Sequence, residues 1–410
     1  MPKCLEKLLF NNRIMGRHHL NVIEAPNPVK AVSEGFFIVP TPISRLHMEH
    51  NSTKKIKSTT TMLNTVNETQ QEVHCSPNVL KMERRKYAMY VWKMGFDPNI
   101  VVGSGPDCFL SWDKIGSCFT HTWNTEEKRK WLWATCNTPN REISTIFLSD
   151  VKNNLESSFL LRDCESSGVH LLRKALSEGH EQVPGLKIYA LFAVSDEYVS
   201  ERLLVPYVVW YNDHCARSNA EKFDGVAVNN EAYNKVKSSG DVSIVTLYLD
   251  RLQEVHLQAR KQVRDRLLTH YSIGWHWGRR NGETQIIPWR GKSVDVLHHM
   301  IDIFDSIDVQ VASTKFPTIK DRMHIAGLDY ASTLGKQIYA TLYTNKADSG
   351  LCHTSFFPET CRSSEKSEAE LYNIVDQFVK EGLESVQPCI HYFRGVYSCG
   401  GNPDWPVHTT

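Results

Sequence analysis

Polar side chains that could do chemistry follow the most informative apolar run of this sequence. The run Phe223 to Val228 leads into Asn229, Asn230 and Glu231. A buried strand that ends in three polar residues needs hydrogen-bonding partners at that end. A carboxyl group there can act as a general acid, and neighbouring amides can hold hydroxyl or acetamido groups. We therefore take Glu231 as the candidate general acid and both asparagines as candidate substrate-binding residues, against the alternative that Glu231 caps a helix or pairs with Arg394.

Further candidates stand at the ends of other apolar runs. Asp150 and Asp196 could supply a second catalytic carboxylate, although an aspartate that follows a parallel strand is often the N-cap of the next helix. Flat aromatic rings stack on the apolar faces of sugars, and amides bind their hydroxyl groups. The remaining candidate substrate-binding residues are Trp92, Trp275, Trp277, Tyr343 and Asn345.

Two of these tryptophans stand close together in Ser272 to Trp277. Alternation along a strand would send Trp275 and Trp277 to one side and His276 to the other. The pair could then line the mouth of a site and stack on a sugar. The alternative is that both rings are packing residues.

No pattern for a metal or a nucleotide is present. No set of His, Asp and Glu has metal-ligand spacing, and neither a P-loop nor a Gly-x-Ser-x-Gly elbow occurs. Gly103-Ser104-Gly105 is followed by Pro106 rather than by a helix start, so we interpret it as a turn. We expect no metal and no cofactor.

Eight apolar runs alternate with segments long enough for crossover helices, which is typical of βα units around a parallel sheet. They predict an α/β fold, a single (β/α)8 TIM barrel with an N-terminal extension, with its site at the carboxyl ends of the strands. A doubly wound open sheet is the alternative. The predicted strands are Tyr87 to Met94, Ile143 to Asp150, Lys187 to Val194, Phe223 to Glu231, Leu267 to Trp277, Ser306 to Ala312, Gln337 to Asn345 and Ile390 to Ser398.

Apolar stripes at helical spacing predict three of the crossover helices. One stripe runs from Tyr248 to Leu267 and a second from Val294 to Phe304. A third helix opens with Ser367 and Glu370 in capping-box spacing.

The first part of the chain differs from the rest. Residues 51–71 are rich in Ser, Thr, Asn and Lys, a composition that buries too little apolar surface to offset the entropy of ordering. We predict a poorly ordered leader or linker over residues 1–84, the barrel over 85–402 and a C-terminal tail over 403–410.

The composition of the sequence excludes some classes of binding partner. The chain has 410 residues, with 47 Lys and Arg against 46 Asp and Glu, a formal net charge of +1. Such a balance provides no field to gather phosphate backbones, so we do not expect nucleic acid as a partner. No apolar run approaches the roughly 18 residues of a membrane span. We expect a monomer whose partner is a glycan.

The signals for the compartment conflict. The chain has 11 cysteines, none in a CxxC metal pattern, which favours disulfides and secretion. Asn51 and Asn67 begin glycosylation triplets, as expected of a glycoprotein. The first 20 residues, however, contain no apolar core of signal-peptide length, so there is no clear signal peptide.

The fourth run resembles the strand-four signature of family 18 glycoside hydrolases, the chitinases and endo-N-acetylglucosaminidases. Phe223, Asp224, Gly225 and Glu231 match at the family's spacing, whereas Ala227 and Asn229 replace two aspartates of that signature. The resemblance implies a barrel fold, a glycan substrate and a proton-donating role for Glu231.

Asn230-Glu231 also resembles the Asn-Glu pair of the large retaining-glycosidase clan, where a second glutamate ends strand seven. Here the seventh run ends in Thr344 and Asn345 without that glutamate. Three functions therefore stay open. They are a glycosidase, a non-catalytic carbohydrate-binding protein related to chitinases, and a barrel enzyme acting on another substrate, such as a phosphodiester.

Overall fold

The structure is a computed structural model that describes residues 86–92, 126–261, 266–344, 354–356, 368–383 and 385–391. The chain divides into two units, Met1–Met82 and Glu83–Thr410, and every described residue belongs to the second.

Eight parallel strands close into a barrel in chain order, and the last strand pairs with the first. The predicted (β/α)8 TIM barrel is thereby confirmed. Both faces of each strand are covered, which explains why most strands read as continuous apolar runs rather than as alternating ones. The strands are β1 (Tyr87–Val91), β2 (Ile143–Leu148), β3 (Lys187–Phe192), β4 (Gly225–Val228), β5 (Leu268–Gly274), β6 (Ser306–Gln310), β7 (Gln337–Tyr343) and β8 (Val386–His391).

Helices cover the outside of the barrel between the strands. Two short antiparallel ladders, Arg279–Arg280 with Glu283–Thr284 and Ile286–Trp289 with Lys292–Asp295, follow β5. The α-helices are α1 (Glu126–Cys136), α2 (Val151–Leu161), α3 (Ser167–Gln182), α4 (Val205–Trp210), α5 (Tyr233–Ser239), α6 (Val242–Arg260), α7 (Val296–Ile303), α8 (Phe316–Ile325), α9 (Leu328–Thr333) and α10 (Glu368–Lys380). Single turns of other helical types occupy Ser200–Leu203, Tyr211–Cys215 and Asn219–Glu221.

The core has two parts because strand side chains alternate. The larger part lies between the strands and the helices. The smaller part fills the barrel interior and consists of Ala88, Tyr90, Phe147, Tyr189, Leu191, Ala227, Tyr339 and Cys389.

The Phe-Asp-Gly opening of β4 has a structural role at the amino end of the strand. Asp224 accepts hydrogen bonds from Lys187 Nζ at 2.8 Å and from the backbone N–H of Ile188 at 2.8 Å, and it pairs with His180. Gly225 lies so close to β5 that a Cβ there would stand 2.5 Å from the carbonyl oxygen of Leu268. These residues therefore anchor β4 and lie at the end opposite to the candidate site.

The predicted eighth strand begins too late in the sequence. We predicted its start at Ile390, but β8 begins at Val386 and ends at His391. Pro388 obscured the start, because proline donates no hydrogen bond and usually argues against a central strand. Arg394 and the rest of that predicted run lie outside the described residues.

One disulfide confirms part of the cysteine prediction. Cys164 and Cys215 are joined across 51 residues, with their Cα atoms 5.0 Å apart. Cys136 and Cys389 are buried free thiols, and the remaining cysteines lie outside the described residues. Within the described ranges, no helix is long and apolar enough to cross a membrane.

Candidate functional site

The carboxyl ends of the strands form the candidate site, as is usual for this fold. We use "mouth" for a set of half-buried side chains that hydrogen bonds and ring contacts connect across five strands. The mouth consists of Trp92, Asn229, Glu231, Gln310, Tyr343 and His391.

Gln310, the last residue of β6, connects the polar half of the mouth. Its Nε2 donates to Oδ1 of Asn229 at 3.1 Å and to Oε1 of Glu231 at 3.3 Å. Its Oε1 accepts a hydrogen bond from the hydroxyl of Tyr343 at 3.2 Å. One amide thus joins β4, β6 and β7 and fixes the position of the candidate acid.

Aromatic rings form the other half of the mouth. Trp92 Nε1 donates to Nε2 of His391 at 3.1 Å, and the His391 ring lies 4.8 Å from that of Tyr343. Burial lowers the pKa of His391 to about 4, so its ring is neutral at physiological pH and Nε2 can accept the tryptophan proton. Trp92 also stacks on Tyr90, with ring centroids 5.6 Å apart.

Glu231 is electrostatically suited to donate a proton. Burial raises the pKa of this carboxyl, and the hydrogen bond from Gln310 opposes that rise without cancelling it. The phenol of Tyr233 lies nearby, and burial raises the pKa of that group too. A carboxyl with a raised pKa keeps its proton closer to neutral pH, which is what general acid catalysis requires.

A buried polar cluster lies beneath the mouth. Asp308 on β6 has no exposed surface, and its Oδ1 accepts from Tyr90 Oη at 2.5 Å and is 2.8 Å from Nε2 of His270. Its Oδ2 accepts from Ser272 Oγ at 3.0 Å and from the hydroxyl of Thr341. Four partners surround the two oxygens, which matches the acceptor capacity of a carboxylate.

Asn230 does not face the mouth. Its side chain points outward from β4 and has no exposed surface. Its Nδ2 donates to the carbonyl of Asp196 at 3.0 Å and to Oε2 of Glu201 at 2.9 Å, while its Oδ1 accepts from Tyr248 Oη at 3.0 Å. The amide that we predicted to bind substrate is fully used in holding the loop after β4.

Two predicted carboxylates lie on loops. Asp196 Oδ1 accepts from the backbone N–H of Tyr198 at 2.9 Å and of Ser200 at 3.2 Å, so it organises the turn after β3. Asp150 occupies the N-cap position of α2 in a left-handed conformation, with φ 61°.

The two tryptophans that were predicted to lie on one side of a strand have different surroundings in the structure. β5 ends at Gly274 and a turn follows, so strand alternation does not extend to residues 275 and 277. Trp275 is half-buried under the guanidinium of Arg322, 4.6 Å from the ring centroid. Trp277 is 2% exposed and packs against Tyr248, so this ring belongs to the core and does not line the mouth.

The structure brings together four predicted residues: Trp92, Asn229, Glu231 and Tyr343. Asn345 lies outside the described residues. Sequence reasoning did not select Gln310 and His391 of the mouth, nor Asp308 in the buried cluster beneath it. No group of three potential metal ligands occurs among the described side chains.

Comparison with known proteins concerns the fold. No family model matches the sequence, and no curated protein matches it. A GH18 chitinase from Pseudoalteromonas aurantia is 10% identical with a TM-score of 0.40, over 78% of this chain and 97% of that chain. A chitinase from Bacteroides thetaiotaomicron is 11% identical with a TM-score of 0.38, over 75% and 89%. A xylanase-α-amylase inhibitor protein in complex with trehalose is 11% identical with a TM-score of 0.36, over 75% and 93%.

The chain is thus similar in structure, at low identity, to GH18 chitinases and to this inhibitor protein. Its TIM barrel fold is shown by its own closed strand order. One barrel hosts many unrelated functions, so the likeness concerns the fold alone.

Proposed function

We propose that this protein is a glycoside hydrolase acting on a glycan, with Glu231 as the general acid. The observation that carries the proposal is the contact between Gln310 and Glu231 inside a mouth that also presents Trp92 and Tyr343. Carbohydrate is the ligand class that uses a proton donor, amides and flat aromatic rings together.

The reaction begins with a proton transfer from Glu231. The proton passes to the glycosidic oxygen as the bond between that oxygen and the anomeric carbon breaks, and the leaving sugar departs as an alcohol. The acetamido oxygen of the substrate bonds to the anomeric carbon as the leaving sugar departs. Water then attacks that carbon, the bond to the acetamido oxygen breaks, and the water gives a proton to the Glu231 carboxylate, which restores the acid. Asn229 stands beside Glu231 and would hold an acetamido or hydroxyl group during this step.

A carbohydrate-binding protein without catalysis is the second candidate. The observation that favours it is the placement of Asp196, whose carboxylate is bound to two backbone N–H groups of its own loop. Known glycosidase geometries use two carboxyl groups roughly 5 to 10 Å apart across the scissile bond. A mouth with Glu231 alone would bind sugar and leave it intact.

We also propose that the protein works outside the cytosol. The Cys164–Cys215 disulfide supports this location, because disulfides persist mainly in oxidising compartments. Glycosylation at Asn51 and Asn67 stays a prediction of the same proposal.

A glycan-array screen of the full chain tests the proposal. Each bound glycan is incubated with the protein, and the products are examined by mass spectrometry. Binding followed by cleavage supports a hydrolase, and binding without cleavage supports the carbohydrate-binding alternative. No binding to any glycan would overturn both.

A further inference from the structure

Asp308 is a buried carboxylate that the proposed reaction does not use. It lies two residues before Gln310 on β6, so both side chains point into the barrel. Its partners come from three other strands, β1, β5 and β7. Burying a charged carboxylate costs free energy unless its hydrogen-bond donors are retained.

A direct chain of hydrogen bonds joins this carboxylate to the candidate acid. Ser272 Oγ donates to Asp308 at 3.0 Å, and the same oxygen accepts from Gln310 Nε2 at 3.2 Å. Gln310 Nε2 then reaches Oε1 of Glu231 at 3.3 Å. Asp308 and Glu231 are therefore separated by two side chains.

Asp308, at the buried end of this chain of hydrogen bonds, determines which group donates and which accepts at each step. A carboxylate only accepts, so the hydroxyl proton of Ser272 points to Asp308 and its lone pair faces Gln310. The Gln310 amide must then present its NH₂ group to the side where Ser272, Asn229 and Glu231 lie, and its two protons are shared among these three acceptors. Its oxygen faces the other way and accepts from Tyr343.

We propose that Asp308 is a positioning residue that fixes the orientation of the Gln310 amide, so that Gln310 donates to Glu231 instead of presenting its oxygen. The inference deepens the proposed function and rests on it, because the orientation of Gln310 bears on catalysis only if Glu231 is the general acid. Asp308 acts through Ser272 and Gln310 and does not touch a substrate.

The test reads the protonation of Glu231 directly, without any glycan. The protein is labelled with ¹³C at glutamate side chains, and the Glu231 signal is assigned by its loss in Glu231→Gln. Tyr233, Tyr271 and Tyr343 interact electrostatically with Glu231. His391 lies against the Tyr343 ring and, with a pKa of about 4, is followed in the same titration. Burial raises the pKa of all three phenols, so they stay neutral through the titration.

Asp308→Asn is expected to raise the pKa of Glu231 by about half a unit or more, roughly a threefold change in the acid constant. The physical reason is that an asparagine no longer dictates the Ser272 proton, so Gln310 donates to Glu231 only part of the time. Gln310→Leu removes the donor altogether and gives the upper limit of the shift. The double variant should match Gln310→Leu alone, because Asp308 acts through Gln310.

Thr341→Val is the matched control, since it removes a different donor to Asp308 and should leave Glu231 unchanged. A lowered pKa of Glu231 in Asp308→Asn would show that Asp308 acts only by direct charge repulsion, and this result or an unchanged pKa overturns the proposal. If Asp308→Asn does not fold, Ser272→Ala decides, with a rise expected and an unchanged or lowered pKa contradicting it. This test does not measure glycan turnover, so a failure of the proposed function can be distinguished from a failure of this inference.

Discussion

Neighbouring residues at the end of β4 have different roles because strand side chains alternate. Asn229 and Glu231 contact Gln310 in the mouth, whereas Asn230 points outward. Alternation could have separated these two sets from the sequence alone. The partners of Asn230 could not be predicted, because Glu201 and Tyr248 are far from it along the chain.

Asp308 left a signal in the sequence that we did not use. Ser306, Asp308 and Gln310 alternate with two apolar residues in a run predicted to be buried. Such alternation places three polar side chains on one face, and in a closed barrel that face is the interior. The identity of the partners on β1, β5 and β7 depends on barrel closure and could not be read from this run.

Glu201 gives the stability of the protein a defined pH dependence. Burial raises the pKa of this carboxyl to about 7 in the folded chain. An exposed glutamate in the unfolded chain has a pKa of about 4.3, so between these values the folded state holds a proton that the unfolded state has lost. We therefore expect stability to fall as the pH rises through this window, by about 3.7 kcal/mol at most.

Urea unfolding at pH 5 and at pH 8 measures this effect. Glu201→Gln cannot ionise, so its stability should depend less on pH than that of the wild type. Glu197→Gln is the matched control, since this side chain on the same loop is 41% exposed. Equal pH dependence in the wild type and Glu201→Gln would contradict the account.

At the scale of elements, the pattern of hydrophobic residues located the strands but did not give the residues at which they end. β5 stops at Gly274, where Tyr233 packs so closely that a Cβ would lie 2.6 Å from its hydroxyl. The chain then turns and sends Trp277 into the core. This turn depends on a contact with α5, so alternation along the sequence could not decide between the two alternatives for Trp277, and the structure shows the packing one.

Gly225 should be required for the pairing of β4 with its neighbours. An added Cβ would lie 2.5 Å from the backbone oxygen of Leu268 and 2.5 Å from the ring of Tyr189. The backbone atom cannot move without disturbing β5. We expect Gly225→Ala to lower the free energy of unfolding by about 2–3 kcal/mol, measured by urea denaturation.

Ala227→Gly is the matched comparison, because it changes one carbon on the same strand in the opposite direction. We expect it to cost about 1 kcal/mol through chain entropy and lost apolar burial. A Gly225→Ala variant as stable as the wild type would show that β4 and β5 can separate slightly without loss.

At the scale of the whole molecule, barrel closure assembles the mouth. Trp92 and His391 are separated by 299 residues, yet the pairing of β1 with β8 brings them into a hydrogen bond. The eight-unit pattern was sufficient to predict the fold. The mouth as a set of contacts could not be predicted, because strand register and barrel closure decide which strand ends meet.

The disulfide should stabilise the barrel through one covalent loop. Cys164 and Cys215 close 51 residues that include α3 and β3. A cross-link of this length removes conformational entropy from the unfolded chain and contributes about 2–4 kcal/mol. We expect reductant to lower the midpoint of urea unfolding.

The variant Cys164→Ser with Cys215→Ser provides the control for this experiment. Without reductant it should already unfold at a lower midpoint than the wild type, and reductant should change its midpoint less than that of the wild type. A wild type whose midpoint does not respond to reductant, with the bond verified as reduced, would contradict a stabilising role.

The central claim is that Glu231 donates a proton to a glycan held in the mouth, and single-turnover cleavage tests it most directly. A glycan found by the array screen is mixed with excess full-length protein, and product is measured over time by mass spectrometry for the wild type and Glu231→Gln. The account predicts a loss of about 100-fold or more in cleavage rate for Glu231→Gln, with the dissociation constant changed less than about threefold. Equal cleavage by the two proteins would contradict it.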